Sequence, residues 1–258
     1  MSPAELRALA EDVAREAGAQ LRDAFERTDL AVSAKSSPTD MVSEADEAAE
    51  ALIRERLTAA RPGDAVLGEE EGDTPGTTGV RWIVDPLDGT TNFLFGVPQW
   101  AVSVACENEH GPVAGVVYDP LRDELWGADR DSGPTCNGRP VQPSSQVDLG
   151  QALVGTGFSY AAPVRARQGE LVARLLPRVR DVRRLGAAAL DLAWVAGGRL
   201  DAFFERGLKT WDIAAGELLC RRAGLELVEL PAEGIMPSGL LVAPPSLMGP
   251  LRELVADA

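Results

Sequence analysis

The chain has 258 residues, enough for one large domain or two small ones sharing a core, and its 45% hydrophobic fraction is that of a globular protein, not a disordered one. Its 40 acidic side chains against 25 basic ones leave a formal charge of −15, which argues against general binding to nucleic acid or an anionic membrane, since both need a cationic footprint. Cys106, Cys136 and Cys220 are odd in number and form no C-x-x-C pair, so neither a disulfide framework nor a zinc site is indicated.

Leu and Ala recur at helical spacing over residues 3–27, with Pro3 near the start, which predicts a first amphipathic helix. A polar loop over 28–42 follows, and Ser43 opens a second helix with Glu44, Asp46 and Glu47 in its first turn. Short β-rich runs come next, at 65–67, 80–84, 101–107, 112–118 and 124–126, separated by turn residues. Beyond Val147 strands and helices alternate: a strand at 153–157, helices near 164–176 and 187–196, a strand at 200–204, and an apolar-periodic helix opened by Trp211. The class is therefore α/β. No run approaches the roughly 20 apolar residues of a membrane span, and the first residues are not a cationic segment leading into an apolar one, so a cytoplasmic protein is expected.

Three acidic segments interrupt this pattern. In Trp82-Ile83-Val84-Asp85-Pro86-Leu87-Asp88-Gly89-Thr90-Thr91-Asn92-Phe93 an apolar strand stops at two carboxylates and a Gly-Thr turn. The proline bend lets Asp85, Asp88 and the Leu87 carbonyl face one point, and hard oxygen donors of this kind suit Mg²⁺ better than Zn²⁺. Taken alone, the same motif reads equally well as an Asp-Pro turn capping a helix. Gly68-Glu69-Glu70-Glu71 ends a predicted strand, and Asp212, in Trp211-Asp212-Ile213-Ala214-Ala215-Gly216, reads as an N-cap or first-turn residue. Each of these, in isolation, is an ordinary solvated run or a plain cap. Gly89-Thr90-Thr91 opens a short helix whose first N–H groups lack acceptors of their own and suit an anion.

In this order the three segments resemble the signatures of the Mg²⁺-dependent inositol monophosphatases: G-E-E, then W-I-x-D-P-x-D-G-T-x-N-F, then W-D-x-A-A-G. The resemblance runs from the loop around Lys35 and Asp40 to about Gly224, and the segments at 183–192 and 198–205 are similar to the bacterial branch. It implies a layered α/β/α/β/α sandwich of the inositol monophosphatase and fructose bisphosphatase type. Residues 1–146 would form an α+β half with most metal ligands. Residues 147–258 would form an α/β half with Asp212 and the alcohol contacts, the two halves making one catalytic unit.

The resemblance also implies roles. Glu69, Asp85 and the Leu87 carbonyl would hold one Mg²⁺, and Asp85, Asp88 and Asp212 a second, with Glu69 reaching a third through water. Thr90, paired with Glu69, would orient and deprotonate the attacking water, with Asp46 among the catalytic residues. Gly89, Thr90 and Thr91 would face the phosphate, and Gly186, Ala187, Ala188, Glu205 and Asp212 the alcohol. Ala187 departs from relatives that carry a hydroxyl there. Lys35 is either a phosphate or third-cation contact or an exposed loop lysine. A homodimer is expected, with Trp194 and Phe204 available for packing there or in the core, and lithium is expected to inhibit.

Rival chemistries lack their residues. There is no D-x-D-x-T nucleophile motif, no Cys-x₅-Arg loop and no G-x-S-x-G elbow. Gly155-Thr156-Gly157-Phe158 is a strand end and no dinucleotide fingerprint, and the only histidine, His110, lies in a polar loop. Within the family, Thr91-Asn92-Phe93 resembles the inositol branch, which implies inositol 1-phosphate as substrate over histidinol phosphate, fructose bisphosphate and 3′-phosphoadenosine nucleotides. Seven arginines, Arg165, Arg167, Arg174, Arg178, Arg180, Arg183 and Arg184, leave a second reading open: a regulatory protein that binds RNA or an acidic partner.

Overall fold

A computed structural model describes residues 1–26 and 44–256. Lys35 and Asp40 lie outside the described residues. The first helix, α1 (Pro3–Glu26), buries Leu6, Ala10, Val13, Ala14, Ala17 and Leu21, the 3.6-residue stripe expected of its sequence. Beside it, α2 (Glu44–Ala60) buries Ala49, Ile53 and Leu57, but also Asp46, Glu50 and Arg54.

These two helices cover one face of an eight-stranded sheet. Its strands are β1 (Ala65–Gly68), β2 (Asp73–Thr74), β3 (Arg81–Asp88), β4 (Ala101–Asn108), β5 (Gly111–Asp119), β6 (Glu124–Asp129), β7 (Ser132–Cys136) and β8 (Arg139–Pro140), in the order β2-β1-β3-β4-β5-β6-β7-β8. Only the β1–β3 pairing is parallel. After β3 comes a five-residue helix, α3 (Thr90–Leu94).

A second sheet, of five strands, contains β9 (Leu153–Thr156), β10 (Asp181–Arg183), β11 (Ala202–Arg206), β12 (Glu226–Leu230) and β13 (Gly239–Ala243), ordered β10-β9-β11-β13-β12. The intervening helices are α4 (Ala162–Leu175), α5 (Ala188–Ala196), α6 (Thr210–Arg222) and α7 (Pro245–Ala256).

Three apolar cores define the layers. The first joins α1 and α2 to one face of the large sheet through Trp82, Val84, Val102 and Val116. The second joins the opposite face, through Ile83, Ala105 and Val117, to α5 and α6, and these in turn to Phe203, Leu240 and Val242 of the small sheet. The third packs α4 and α7 on the outer face of the small sheet through Val154, Phe204 and Leu241. The order is thus α/β/α/β/α, as the resemblance implies, and residue 147 falls in the connection between the two sheets. Strand β3 is buried along almost its whole length because it is covered on both faces, which explains its unbroken apolar run. Phe204, 5% exposed, belongs to the third core and is not available to a subunit interface.

Candidate active site

The C-terminal end of β3 faces a cavity of about 300 Å³ bounded by both sheets' connections, with walls that include Glu69, Asp85, Leu87, Asp88, Gly89, Thr90, Gly186, Ala188, Glu205 and Asp212. Residues scattered from 69 to 212 in sequence therefore meet at one place.

Local structure explains how β3 delivers them. Pro86 cannot donate to the ladder, and the pairing with β4 shifts register between Asp85 and Asp88. In the bend, Asp85 Oδ1 accepts the Leu87 N–H at 3.0 Å. Gly89 then turns the chain at φ +97°, a conformation that a side chain would strain, and its N-cap position starts α3. The Leu87 carbonyl accepts the Thr90 hydroxyl at 3.0 Å, while Asp46 Oδ2 stands 3.3 Å from the same hydroxyl. Thr90 is thus bonded to Leu87 and Asp46 and not to Glu69, which differs from the pairing expected.

Asp88 performs a second task. Its carboxylate accepts the N–H groups of Ala188, Ala189 and Leu190 at 3.0, 2.7 and 3.4 Å. Ala187, the N-cap residue of α5, has no side chain able to do this, so Asp88 caps the helix from the other sheet. Asp212 sits in the first turn of α6, three residues after the N-cap Lys209, and its Oδ2 accepts the Lys209 N–H at 2.6 Å. The expectation that Asp212 is a cap or first-turn group is met by the second alternative. Asn92 is buried and ties α3 to the segment before α5: its Nδ2 donates to the carbonyls of Gln99 at 2.7 Å and Leu185 at 2.8 Å.

Several expected contacts fall elsewhere. Ala187 is fully buried in the middle core and is not part of the cavity wall. Thr91 points to the rim, where its hydroxyl lies 3.0 Å from the Tyr160 hydroxyl. Asp46 stands behind Thr90, 1% exposed. Glu205 reaches the cavity from β11, with its carboxylate against Gly157, where a Cβ would fall 2.0 Å from Oε2.

The arginine-rich segment is not one strip. Arg165 donates to the Ser159 and Tyr160 carbonyls, Arg167 pairs with Glu170 and Arg183 with Asp181, whereas Arg184 lines the cavity. Trp211, the first residue of the third motif, also lines it, as do Phe158, Tyr160 and Lys209, which no sequence signal marks.

The electrostatics follow from crowding. Glu69 is exposed as a residue, yet its carboxylate end, losing water and facing the charges of Asp212, Glu70 and Asp88, is pushed up to about 8. Burial and the charges of Glu69, Asp88 and Asp212 hold Asp85 well above the usual carboxylate range. Burial and Asp212 push Asp88 up to about 8 against the lowering effect of the α5 N–H groups. Burial pushes Asp212 up to about 6, and burial with the charges of Glu69 and Glu70 raises Asp46 strongly. Glu205 rises to about 7, burial outweighing the nearby Arg184.

This is an all-oxygen donor set with an excess of negative charge in one cavity. It fits a hard divalent cation in kind, and positive charge there would relieve each of these shifts. The side chains do not converge on one point as they stand: among the described residues no three Asp, Glu, His or Cys groups form a finished cation cage. Asp88, with both oxygens turned to α5, is the clearest case.

Fold and cavity together place one acidic pocket where the connections of the two sheets meet. A model of the inositol monophosphatase family matches residues 2–256, and the chain belongs to that family. The Inositol-1-monophosphatase SuhB of Mycobacterium tuberculosis (strain H37Rv) is 44% identical over 251 residues, covering 90% of this chain and 87% of the relative. The Nus factor SuhB of Escherichia coli (strain K12) is 42% identical over 213 residues, covering 82% and 80%. Among solved structures, the extragenic suppressor protein suhB of Bartonella henselae superposes with a TM-score of 0.89 at 36% identity, covering 97% of this chain and 98% of that one. The chain is accordingly a phosphatase of the inositol monophosphatase type, and among its described residues no helix is long and apolar enough to cross a membrane.

Proposed function

We propose that this chain is a Mg²⁺-dependent phosphatase that hydrolyses inositol 1-phosphate to inositol and phosphate. The observation that carries the reading is the gathering of Glu69, Asp85, Asp88 and Asp212 around Thr90 in one cavity, with all four carboxyls shifted upward.

Glu69, Asp85, Asp88, Asp212 and the Leu87 carbonyl would hold two or three Mg²⁺. When bound, Mg²⁺ supplies positive charge to the phosphate oxygens and lowers the pKa of water. The Thr90 hydroxyl, bridging the Leu87 carbonyl and Asp46, orients the attacking water by accepting from it and passes its own proton toward Asp46 Oδ2, with Glu69 alongside. Gly89, Thr90 and Thr91 present helix-start N–H groups to the phosphate; α3 has only five residues, so these N–H groups and not a macrodipole are what it offers. Water attacks phosphorus and gives up one proton by way of Thr90 to Asp46, the bond from phosphorus to the alcohol oxygen breaks, and that oxygen leaves as the alcohol by taking up the proton the water gave up. Glu205, held near neutrality, accepts from the polyol hydroxyls, and Gly186 and Ala188 leave room for the ring.

Phosphate release from inositol 1-phosphate, histidinol phosphate, fructose 1,6-bisphosphate and 3′-phosphoadenosine 5′-phosphate, with and without Mg²⁺, tests both parts. Mg²⁺-dependent release selective for inositol phosphate supports the reading; selectivity for another ester renames the substrate. Lithium inhibition and a homodimer of a cytoplasmic enzyme belong to the same reading, checked by inhibition assay, sedimentation and cell fractionation.

The likeness to a relative named Nus factor SuhB supports a second reading, an interaction with RNA or a protein through the arginines of residues 165–184. Retention of RNA by the protein at moderate salt, unchanged in an Arg174→Ala, Arg178→Ala variant, counts against it.

A further inference from the structure

The turn that carries Glu69 is held from beneath by α2. Glu50 is 0% exposed, and its carboxylate accepts the N–H groups of Glu70 at 2.8 Å and Glu71 at 3.0 Å. Arg54, one helical turn further, donates Nε to Glu50 Oε1 at 2.7 Å, Nη2 to the Gly72 carbonyl at 2.5 Å and Nη1 to Thr74 Oγ1 at 3.1 Å. Gly68 leaves the space this requires, since a Cβ there would lie 2.2 Å from Glu50 Oε1. Asp46, Glu50 and Arg54 therefore follow one another at i, i+4 and i+8 on a single buried face of α2, directly under Thr90 and the Glu69 turn.

A buried ion pair is seldom the most stable filling for such a place. Apolar side chains of similar volume often do as well or better, whereas removing one partner leaves an uncompensated charge. What an apolar pair cannot do is grip the backbone on both sides of a turn. Glu50 takes two successive N–H groups on the near side and Arg54 the Gly72 carbonyl on the far side, so together they fix residues 69–72 with neither side chain entering the cavity.

We infer that Glu50 and Arg54 are positioning residues for the acidic cavity: they hold the 69–72 turn so that Glu69 faces Asp85, Asp88 and Asp212, and thereby set the affinity for a divalent cation. This rests on the reading of Glu69 as a cation ligand. Outer groups that orient ligands typically change metal affinity by about 10- to 100-fold when altered.

The test is calorimetric titration of the full chain with Mg²⁺ alone, beside melting curves, for wild type, Glu50→Gln, and the double variant Glu50→Leu with Arg54→Met. Glu50→Gln is expected to bind Mg²⁺ at least about 10-fold more weakly. The double variant is expected to recover the melting temperature but not the affinity, and this holds even where Glu50→Gln does not fold. Affinity that returns together with stability in the double variant, or wild-type affinity in Glu50→Gln, overturns the inference alone. A wild-type protein that binds no Mg²⁺ overturns it together with the cation reading.

Discussion

Asp88 Oδ2 accepts the Ala189 N–H at 2.7 Å across 101 residues of chain, so a carboxylate at the end of the large sheet caps a helix of the middle layer. One side chain thus anchors α5 and lines the cavity. Asp88→Ala is expected to lower stability by about 1–2 kcal/mol, the range for loss of a cap, and to abolish phosphatase activity. Asp88→Asn keeps an acceptor for α5 and should lose activity with a smaller drop in melting temperature. Thermal melts of the Mg²⁺-free proteins beside phosphate release separate the two tasks; a stable, inactive Asp88→Ala removes the capping role.

Stability of the metal-free protein is expected to fall as pH rises. Glu69 and Asp88 at about 8, Glu205 at about 7 and Asp212 at about 6 all lie above the value near 4 that such groups have in the unfolded chain. Between those limits the folded state binds more protons than the unfolded state. The contribution is full below about pH 4 and is lost as pH climbs through 6 to 8. Melting curves with a chelator from pH 5 to 8.5 should show this decline, and saturating Mg²⁺ should reverse its direction over the upper half. A metal-free melting temperature that rises across this window contradicts the crowding of the carboxyls.

The fold and the acidic motifs were legible in the sequence to different depths. Asp85, Leu87, Asp88 and Thr90 sit on one continuous motif, and its apolar lead-in and proline bend reveal both the strand and its interruption. Asp212 was readable because helix starts have local rules. The layering was not readable from periodicity, because an α-helix packed between two sheets and one packed on a single sheet differ little in pattern; it came through family resemblance. Glu50 and Arg54 carry no signal of their own in the sequence beyond an acid–base pair at i, i+4 beside the apolar Ala49-Ile53-Leu57 stripe, since its meaning depends on a turn 18 to 21 residues away. Ala187 differs from its expected place for a like reason: its neighbours Gly186 and Ala188 reach the cavity while its own side chain lies in the core.

Glu205→Gln is expected to act on the alcohol and not on the phosphate. Replacing a partly charged acceptor by an amide oxygen weakens the bond by up to about 1.5 kcal/mol, or roughly 10-fold in kcat/KM for inositol 1-phosphate. An aryl phosphate without hydroxyls should change less than about twofold. Equal losses on both substrates place Glu205 outside alcohol recognition.

Asn92→Ala removes the donor to the buried carbonyl of Gln99 and the half-buried carbonyl of Leu185. A loss of about 1–3 kcal/mol in stability is expected. KM for inositol 1-phosphate should rise more than kcat falls, because the segment carrying Arg184 and Gly186 loses its tie to α3. A change confined to kcat contradicts that division.

The most direct test of the cation-assisted site is phosphate release from inositol 1-phosphate by wild type and Asp85→Asn, first after chelation and then with Mg²⁺ restored. Wild type should fall to background with chelator and recover with Mg²⁺, while Asp85→Asn should stay at background in both conditions though folded. Full activity in the presence of chelator, or an Asp85→Asn variant as active as wild type, contradicts the account.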